Sequence, residues 1–227
     1  GETFKSEELE YGVAITAPVP TKTGYVFSGW AEQIHATVPA GDLTFTGSWN
    51  PAADTKYTVN IHTMDTDGQY TTASQELTGT TDSTVNAVYT VEEGFELGAN
   101  SVTSGTVAAD GSLVLDVYLN RKTITISFNT DGGSAVEALT GLYGATVGTP
   151  SVTNKEGHKF AGWDSLPATF PAADTTATAL WDINYYTITF NAGEGTFADG
   201  SKEKTEEFDY NTTPVAPETP NKVGYTF

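Results

Sequence analysis

Short stretches of the chain alternate apolar and polar residues, the pattern of half-buried β-strands. In the clearest stretch, Ile124, Ile126 and Phe128 share one face, and similar alternation begins at Tyr186. The segment Asn129–Gly133 follows the first of these stretches and contains Asp-Gly-Gly, which accepts the positive φ of a tight hairpin turn. The pattern therefore predicts a mostly-β chain.

One block of sequence occurs twice and begins a third time. Gly24–Trp30 matches Gly157–Trp163, and each block is followed at a matching distance by a second tryptophan, Trp49 or Trp181. A third copy opens at Tyr186 with the same strand pattern. So many spaced glycines and tryptophans indicate a tandem repeat protein.

These repeats divide the chain into four predicted modules. Residues 1–50 (the first module) lack an opening strand, residues 122–184 form a complete repeat, and residues 185–227 (the last module) lack the Gly-Trp half. Residues 57–121 (the middle module) are related but divergent, with Gly94-Phe95 in place of the Gly-Trp element. Because the connections are short, we expect an elongated rod rather than modules on flexible strings.

The composition of the chain excludes several classes of partner and of chemical site. The chain has 29 acidic and 10 basic residues, a formal charge of −19, and no cysteine. Phosphate backbones and anionic membrane surfaces would repel such a chain, and disulfides, thiolate metal sites and cysteine nucleophiles are excluded. We expect no nucleic-acid partner, no membrane insertion in this segment, no metal and no cofactor.

Catalytic motifs are also missing from the sequence. No nucleophile elbow, phosphate loop or zinc-protease helix motif occurs, and His35, His62 and His158 fall in different modules. Asp65–Gly68 resembles the start of a calcium loop, but Tyr70 stands where such a loop needs glycine, so a hairpin turn is favoured. We therefore expect a protein that is not an enzyme.

The repeat pattern carries a family resemblance. An opening strand such as Thr187–Asn191, a Gly-rich turn, the Gly-Tyr-x-Phe-x-Gly-Trp block and a closing tryptophan resemble the Listeria–Bacteroides, or internalin-type B, repeat. The middle module resembles mucin-binding-protein repeats through residues 57–68 and 104–112. The resemblance implies α+β modules of the β-grasp (ubiquitin-like) type in extracellular proteins of the bacterial cell surface. His158 departs from the pattern, since Tyr25 and Tyr225 hold the same position in the other copies.

The resemblance implies a stalk or spacer whose partners are neighbouring repeats or copies of itself. The alternative is an adhesin module that binds host glycan or protein through exposed aromatic residues, with Tyr25 and Tyr225 as contact residues. The aromatic residues of the repeat are either the core of a small module or a sugar-stacking platform. We expect the core role for Trp30, Trp49, Trp163, Trp181, Phe27, Phe160, Phe128 and Phe190.

The two incomplete modules are complementary halves. We expect something to cover them, because half a module leaves strand edges and core residues unpaired. One candidate is head-to-tail assembly, in which a strand containing Tyr186, Ile188 and Phe190 joins the first module of another copy and builds a filament. The other is that the sequence is a window of a longer repeat array.

Overall fold

The computed structural model describes residues 4–227. In that part of the chain it contains strands and no helix, so the expectation of a mostly-β repeat protein is confirmed. The crossovers between hairpins, where an α+β module carries a helix, run through turns and irregular backbone. The strands are β1 (Tyr25–Trp30), β2 (Gly47–Pro51), β3 (Thr55–Met64), β4 (Tyr70–Gly79), β5 (Thr84–Asn86), β6 (Phe95–Leu97), β7 (Ser104–Thr106), β8 (Val114–Arg121), β9 (Thr123–Asn129), β10 (Leu139–Leu142), β11 (His158–Asp164), β12 (Thr175–Ile183), β13 (Tyr185–Asn191) and β14 (Glu203–Asp209).

The chain forms two compact units, one ending at Arg121 and the other beginning at Lys122. Each unit contains two of the four predicted modules. The finer division into four stays a prediction, and the two units are described separately below.

In the first unit, the middle module is a four-stranded sheet in the order β4-β3-β8-β6. The two central strands are parallel, with Val59 opposite Leu115, and the outer pairs are antiparallel. One buried core contains Tyr57 and Val59 of β3, Leu115 of β8, and Val107. A separate short ladder pairs β5 with β7.

In the second unit, the complete repeat has the same sheet plan, in the order β10-β9-β12-β11 with β9 and β12 parallel. Ile124 and Ile126 are buried, as their alternation predicts, and pack with Phe170 and Ala177. The turn after β9 holds Asp131 at a positive φ of 46°. The middle module and the complete repeat are therefore two versions of one topology, although their sequences differ.

The incomplete modules reproduce the two halves of that topology. In the first module β1 pairs with β2 in the register that β11 keeps with β12, with Phe27 opposite Trp49 and Phe160 opposite Trp181. In the last module β13 and β14 form a two-stranded antiparallel hairpin, the counterpart of the opening hairpin β9–β10.

Candidate functional site: the joints between modules

The aromatic side chains of the complete repeat pack against one another. The Trp163 ring lies 4.7 Å from Phe128 and 5.2 Å from Phe160, and the Trp181 indole N–H donates to Thr130 O at 3.1 Å. Phe128 comes from the opening strand and Trp163 from the Gly-Trp strand, so this contact joins the two halves of a module.

The first module repeats part of this packing, with the Phe27 ring between Trp30 at 5.2 Å and Trp49 at 5.3 Å. The eight residues expected to form cores are all half-buried in the structure, and the choice between core and sugar platform stays a prediction: Trp30, Trp49, Trp163, Trp181, Phe27, Phe160, Phe128 and Phe190.

One turn recurs in the first module, the complete repeat and the last module, with the sequence Lys-x-Gly followed by Tyr or His. In each copy the N–H of the final residue donates to the lysine carbonyl, at 3.0–3.1 Å. The turn glycines have φ of 74°, 68° and 81°, values that favour glycine. We call this turn the joint turn; its three copies are residues 22–25, 155–158 and 222–225.

In the first unit, the joint turn of the first module is tied to the middle module by two backbone hydrogen bonds. The N–H of Ala52 donates to Gly24 O at 2.9 Å, and the N–H of Thr81 donates to Ala52 O at 2.9 Å. Ala52 connects the two modules in sequence and is buried. We call this pair of bonds the clasp.

The second unit has the same clasp between the complete repeat and the last module. The N–H of Asn184 donates to Gly157 O at 2.9 Å, and the N–H of Tyr210 donates to Asn184 O at 2.9 Å. Two joints with different sequences thus share one backbone geometry. The connecting residue uses both of its backbone polar groups across the joint, so neither is left to water.

Close packing at each clasp is a second reason why the turn position requires glycine. A Cβ on Gly24 would lie 2.6 Å from the Cα of Ala109, and a Cβ on Gly157 would overlap the ring of Tyr210. Any larger residue at either position would push the two modules apart.

One aromatic side chain crosses the first joint. The Tyr25 hydroxyl donates to the Asp82 carboxylate at 2.6 Å, and the Lys22 ammonium lies 3.7 Å from the centre of the Tyr25 ring. The hydrogen bond to Asp82, together with desolvation, raises the pKa of the Tyr25 phenol above its usual value. The residue expected to contact a ligand is therefore engaged at a joint.

The second joint uses a different side-chain contact. The His158 ring lies 6.1 Å from the Tyr210 ring of the last module in an edge-on arrangement. Within the last module, the Tyr186 ring lies 6.2 Å from the Tyr210 ring. His158 Nδ1 lies 2.8 Å from the Glu156 carbonyl, which can only accept, so Nδ1 carries a proton. Desolvation and then the hydrogen bond to Glu156 raise the pKa of Tyr210.

The third joint turn has an exposed ring. The Lys222 ammonium lies 3.8 Å from the centre of the Tyr225 ring, much as the Lys22 ammonium lies over the Tyr25 ring. Tyr225, however, is 69% exposed. The strand predicted to pair with another copy, β13, pairs with β14 in a two-stranded sheet of the described residues. In β13 Tyr186 is exposed, whereas Ile188 and Phe190 are half-buried.

Apart from the joints, a cluster of hydrogen-bonded polar side chains lies on the outer face of the middle module. His62 Nε2 lies 2.9 Å from Asp116 Oδ1, its Nδ1 lies 2.8 Å from Thr72 Oγ1, and its ring stacks on Tyr118 at 4.3 Å. Asn60 Nδ2 donates to the same Asp116 oxygen at 2.9 Å. The hydrogen bond from His62, followed by that from Asn60, lowers the pKa of Asp116. The cluster ties three neighbouring strands together.

Sequence reasoning found the joint turns only in part. It identified the Gly-Tyr and Gly-His positions and the short connections, and it considered Tyr25 only as a ligand contact of the alternative adhesin role, not as a residue of a joint. Ala52 and Asn184 were missed because they act through backbone atoms, which leave no residue signature. The shared Lys-x-Gly spacing before Tyr25, His158 and Tyr225 was the available signal.

The part of the chain that the structure describes has neither a metal-binding cluster nor a membrane-spanning helix. Across residues 4–227, no group of His, Asp or Glu side chains gathers in a way that would hold a metal ion. The same residues include no helix with the length and apolar character needed to cross a bilayer.

Comparison with known proteins places these modules in context. The sequence model of the Listeria-Bacteroides repeat domain matches residues 1–67, 125–179 and 186–227, which leaves out most of the middle module. A Gly-rich membrane protein of Evansella cellulosilytica, so named, is 28% identical over the whole chain, which covers 28% of that protein. Internalin H of Listeria monocytogenes is 32% identical over 47% of the chain and 22% of its own length. The chain thus spans less than a third of the length of these relatives.

Proposed function

Because this chain belongs to the Listeria-Bacteroides repeat domain family, we propose that it is a stalk or spacer segment of a bacterial surface protein. In this role it holds other parts of the protein away from the cell envelope and performs no catalysis. The names of the relatives, a membrane protein and an internalin, support a location at the envelope. The extracellular surface is the location that fits a spacer.

The observation that carries this proposal is the repeated clasp. A spacer transmits position only if its joints resist bending, and a joint with two backbone hydrogen bonds and a close-packed glycine has few ways to bend. The same geometry occurs in both described joints, at Ala52 and at Asn184. Stability in such an array is the sum of the modules and of the contacts between neighbours.

The charge of the chain supports the same role. Twenty-nine acidic residues against ten basic ones make neighbouring copies repel each other on a crowded surface. Lysines form ion pairs with nearby carboxylates of the same chain, such as the pair between Lys204 Nζ and Glu218 Oε1 at 2.5 Å. Repulsion between copies favours molecules that stand apart.

Small-angle X-ray scattering tests the spacer role. A compact globule of 227 residues would have a radius of gyration of about 17 Å. We expect a value well above this and a cross-section profile typical of a rod. A radius of gyration near the compact value would contradict the spacer role.

An adhesin role is the second candidate, favoured by the exposed aromatic rings of the last module. Tyr225, Tyr186 and Tyr185 are 69%, 50% and 66% exposed. Aromatic faces in water bind sugars or protein side chains. A glycan array tests this role: a signal that is lost in Tyr225→Ala and kept in Tyr25→Ala would favour the adhesin, whereas an array without signal would oppose it.

End-to-end contact between copies is the partner proposal that the incomplete modules support. The β13–β14 hairpin and the two-stranded sheet β1–β2 correspond to the two halves of the sheet seen in the complete repeat. Multi-angle light scattering over a range of concentrations tests it, since assembly would raise the mass stepwise. A constant monomer mass at high concentration would contradict it.

A further inference from the structure

We propose that the residue after the turn glycine holds the following module in place by pairing with a side chain of that module, and that the two members of each pair are matched. This proposal rests on the spacer function, because a spacer needs each joint held in one orientation. Tyr25 and His158 are the two pairing residues whose partners the structure describes.

The partners of these residues come from the same place in the following module. Thr81 and Tyr210 each donate their N–H to the clasp carbonyl, so they are equivalent positions. The next residues, Asp82 and Asn211, have positive φ values of 63° and 60°. Each following module therefore has two adjacent residues in equivalent positions beside the preceding joint turn.

The two joints use these adjacent side chains in opposite ways. In the first joint Tyr25 reaches past the first position and donates its hydroxyl to Asp82 at 2.6 Å, while Thr81 is buried against Thr55. In the second joint the shorter His158 reaches only the ring of Tyr210. Tyrosine is thus matched with an aspartate at the second position, and histidine with an aromatic ring at the first.

Exchanging one member of a pair leaves its partner unmatched. Tyrosine at position 158 would find Asn211 instead of a carboxylate, and would lose the charge-assisted bond that Asp82 gives Tyr25. The third pairing residue, Tyr225, is of the tyrosine type. The surface formed by residues 222–225 therefore fits a module that presents an aspartate at the second position.

Hydrogen exchange of the clasp amides tests the proposal in the full chain. In the first joint, Tyr25→Phe and Asp82→Gly should each speed exchange of the Ala52 and Thr81 amides by about three- to tenfold, the effect of one hydrogen bond. Glycine keeps the backbone of position 82 unstrained, since its φ is positive. The double variant should be no faster than either single variant. Tyr225→Phe is the matched control and should change neither amide.

The second joint supplies the exchange of partners. His158→Tyr should speed exchange of the Asn184 and Tyr210 amides, and adding Asn211→Asp should restore protection to within about threefold of the unmodified chain. Asn211 is exposed and His158 is half-buried, and unchanged Ile126 protection will show that the fold is intact. Additive effects in the first joint, or a double variant no better protected than His158→Tyr, would overturn the pairing. Compact scattering with these couplings intact would instead overturn only the spacer role.

Discussion

Tyr25 and His158 show how much a single side chain depends on its neighbour. Both follow a glycine with positive φ, and both are the last residue of the same backbone turn. The side chain itself and the residues across the joint both differ, so one ring donates a hydrogen bond and the other packs edge-on. At this scale the joint is a fixed backbone frame with an exchangeable side-chain contact.

The Tyr25–Asp82 bond should make the first joint sensitive to alkaline pH. Because the pKa of Tyr25 is raised in the folded chain, the stabilising contribution of its phenol is complete below the ordinary tyrosine pKa of about 10. It is lost as pH rises through the folded value. Titration of Tyr25 by NMR should show this raised pKa, and Asp82→Gly should return it toward the ordinary value. Asp67→Asn is the control; if Asp82→Gly had no more effect than Asp67→Asn, the assignment would be wrong.

The Asp116 cluster gives the opposite pH dependence. Its pKa is lowered by the hydrogen bonds from His62 and Asn60, so its contribution is present above the ordinary aspartate pKa of about 3.9. That contribution disappears as pH falls through the lowered value. Urea unfolding at pH 6 and pH 3 should therefore show a smaller acid-induced loss of stability in Asp116→Asn than in the unmodified chain. The exposed Glu93→Gln is the control, and an equal loss in all three chains would contradict the role of Asp116.

The bulge in the Gly-Trp strand is the clearest feature at the scale of elements. Pairing shifts by one residue between Phe160 and Gly162, and between Phe27 and Gly29, in the same register. The bulge glycines have φ of 139° and 123°. Since a Cβ on either would meet nothing within 4 Å, the backbone conformation alone explains the glycine.

Substituting the bulge glycine should therefore cost strain and no steric overlap. We expect Gly162→Ala to lower the free energy of unfolding by about 1–3 kcal/mol, the cost of a residue in a sparsely populated region. Gly148→Ala is the matched control, because Gly148 also has open space around it and no positive φ. Chemical denaturation measures both variants. Equal stability of the two would show that the bulge tolerates side chains.

The contact between the halves of a module can be tested in the complete repeat. Trp163 packs on Phe128 and Phe160, so Trp163→Ala should lower the free energy of unfolding by about 3 kcal/mol, the low end for a large-to-small change because the ring is half-buried. Leu180→Ala, on the neighbouring strand and 48% exposed, is the control and should cost far less. A small effect of Trp163→Ala, matching Leu180→Ala, would favour the sugar platform instead.

Strands were predictable from the sequence where one face is apolar, and joints were not. The alternation of Ile124 and Ile126 determines which face is buried, and the structure has both in the core. The clasp depends on backbone atoms of Ala52 and Asn184, whose side chains share no chemistry. The crossovers lack the periodicity of an amphipathic helix, and the structure has no helix in residues 4–227; the α+β expectation came from the family resemblance rather than from the pattern.

At the scale of the whole molecule, the chain forms two compact units, and each contains a four-stranded sheet of the same topology. A formal charge of −19 makes copies repel each other, which fits the proposed spacer. The proposed end-to-end contact would have to overcome that repulsion.

Stiff joints are what the proposed spacer requires, and electron–electron distance measurements test them most directly. Because the chain has no cysteine, Val26→Cys with Gln75→Cys places two spin labels on exposed residues across the first joint. We predict a single narrow distance distribution, as narrow as that of the control pair Gln75→Cys and Glu96→Cys within the middle module. Adding Gly24→Ala should broaden the first distribution only. A broad distribution across the joint of the otherwise unmodified chain would contradict the account.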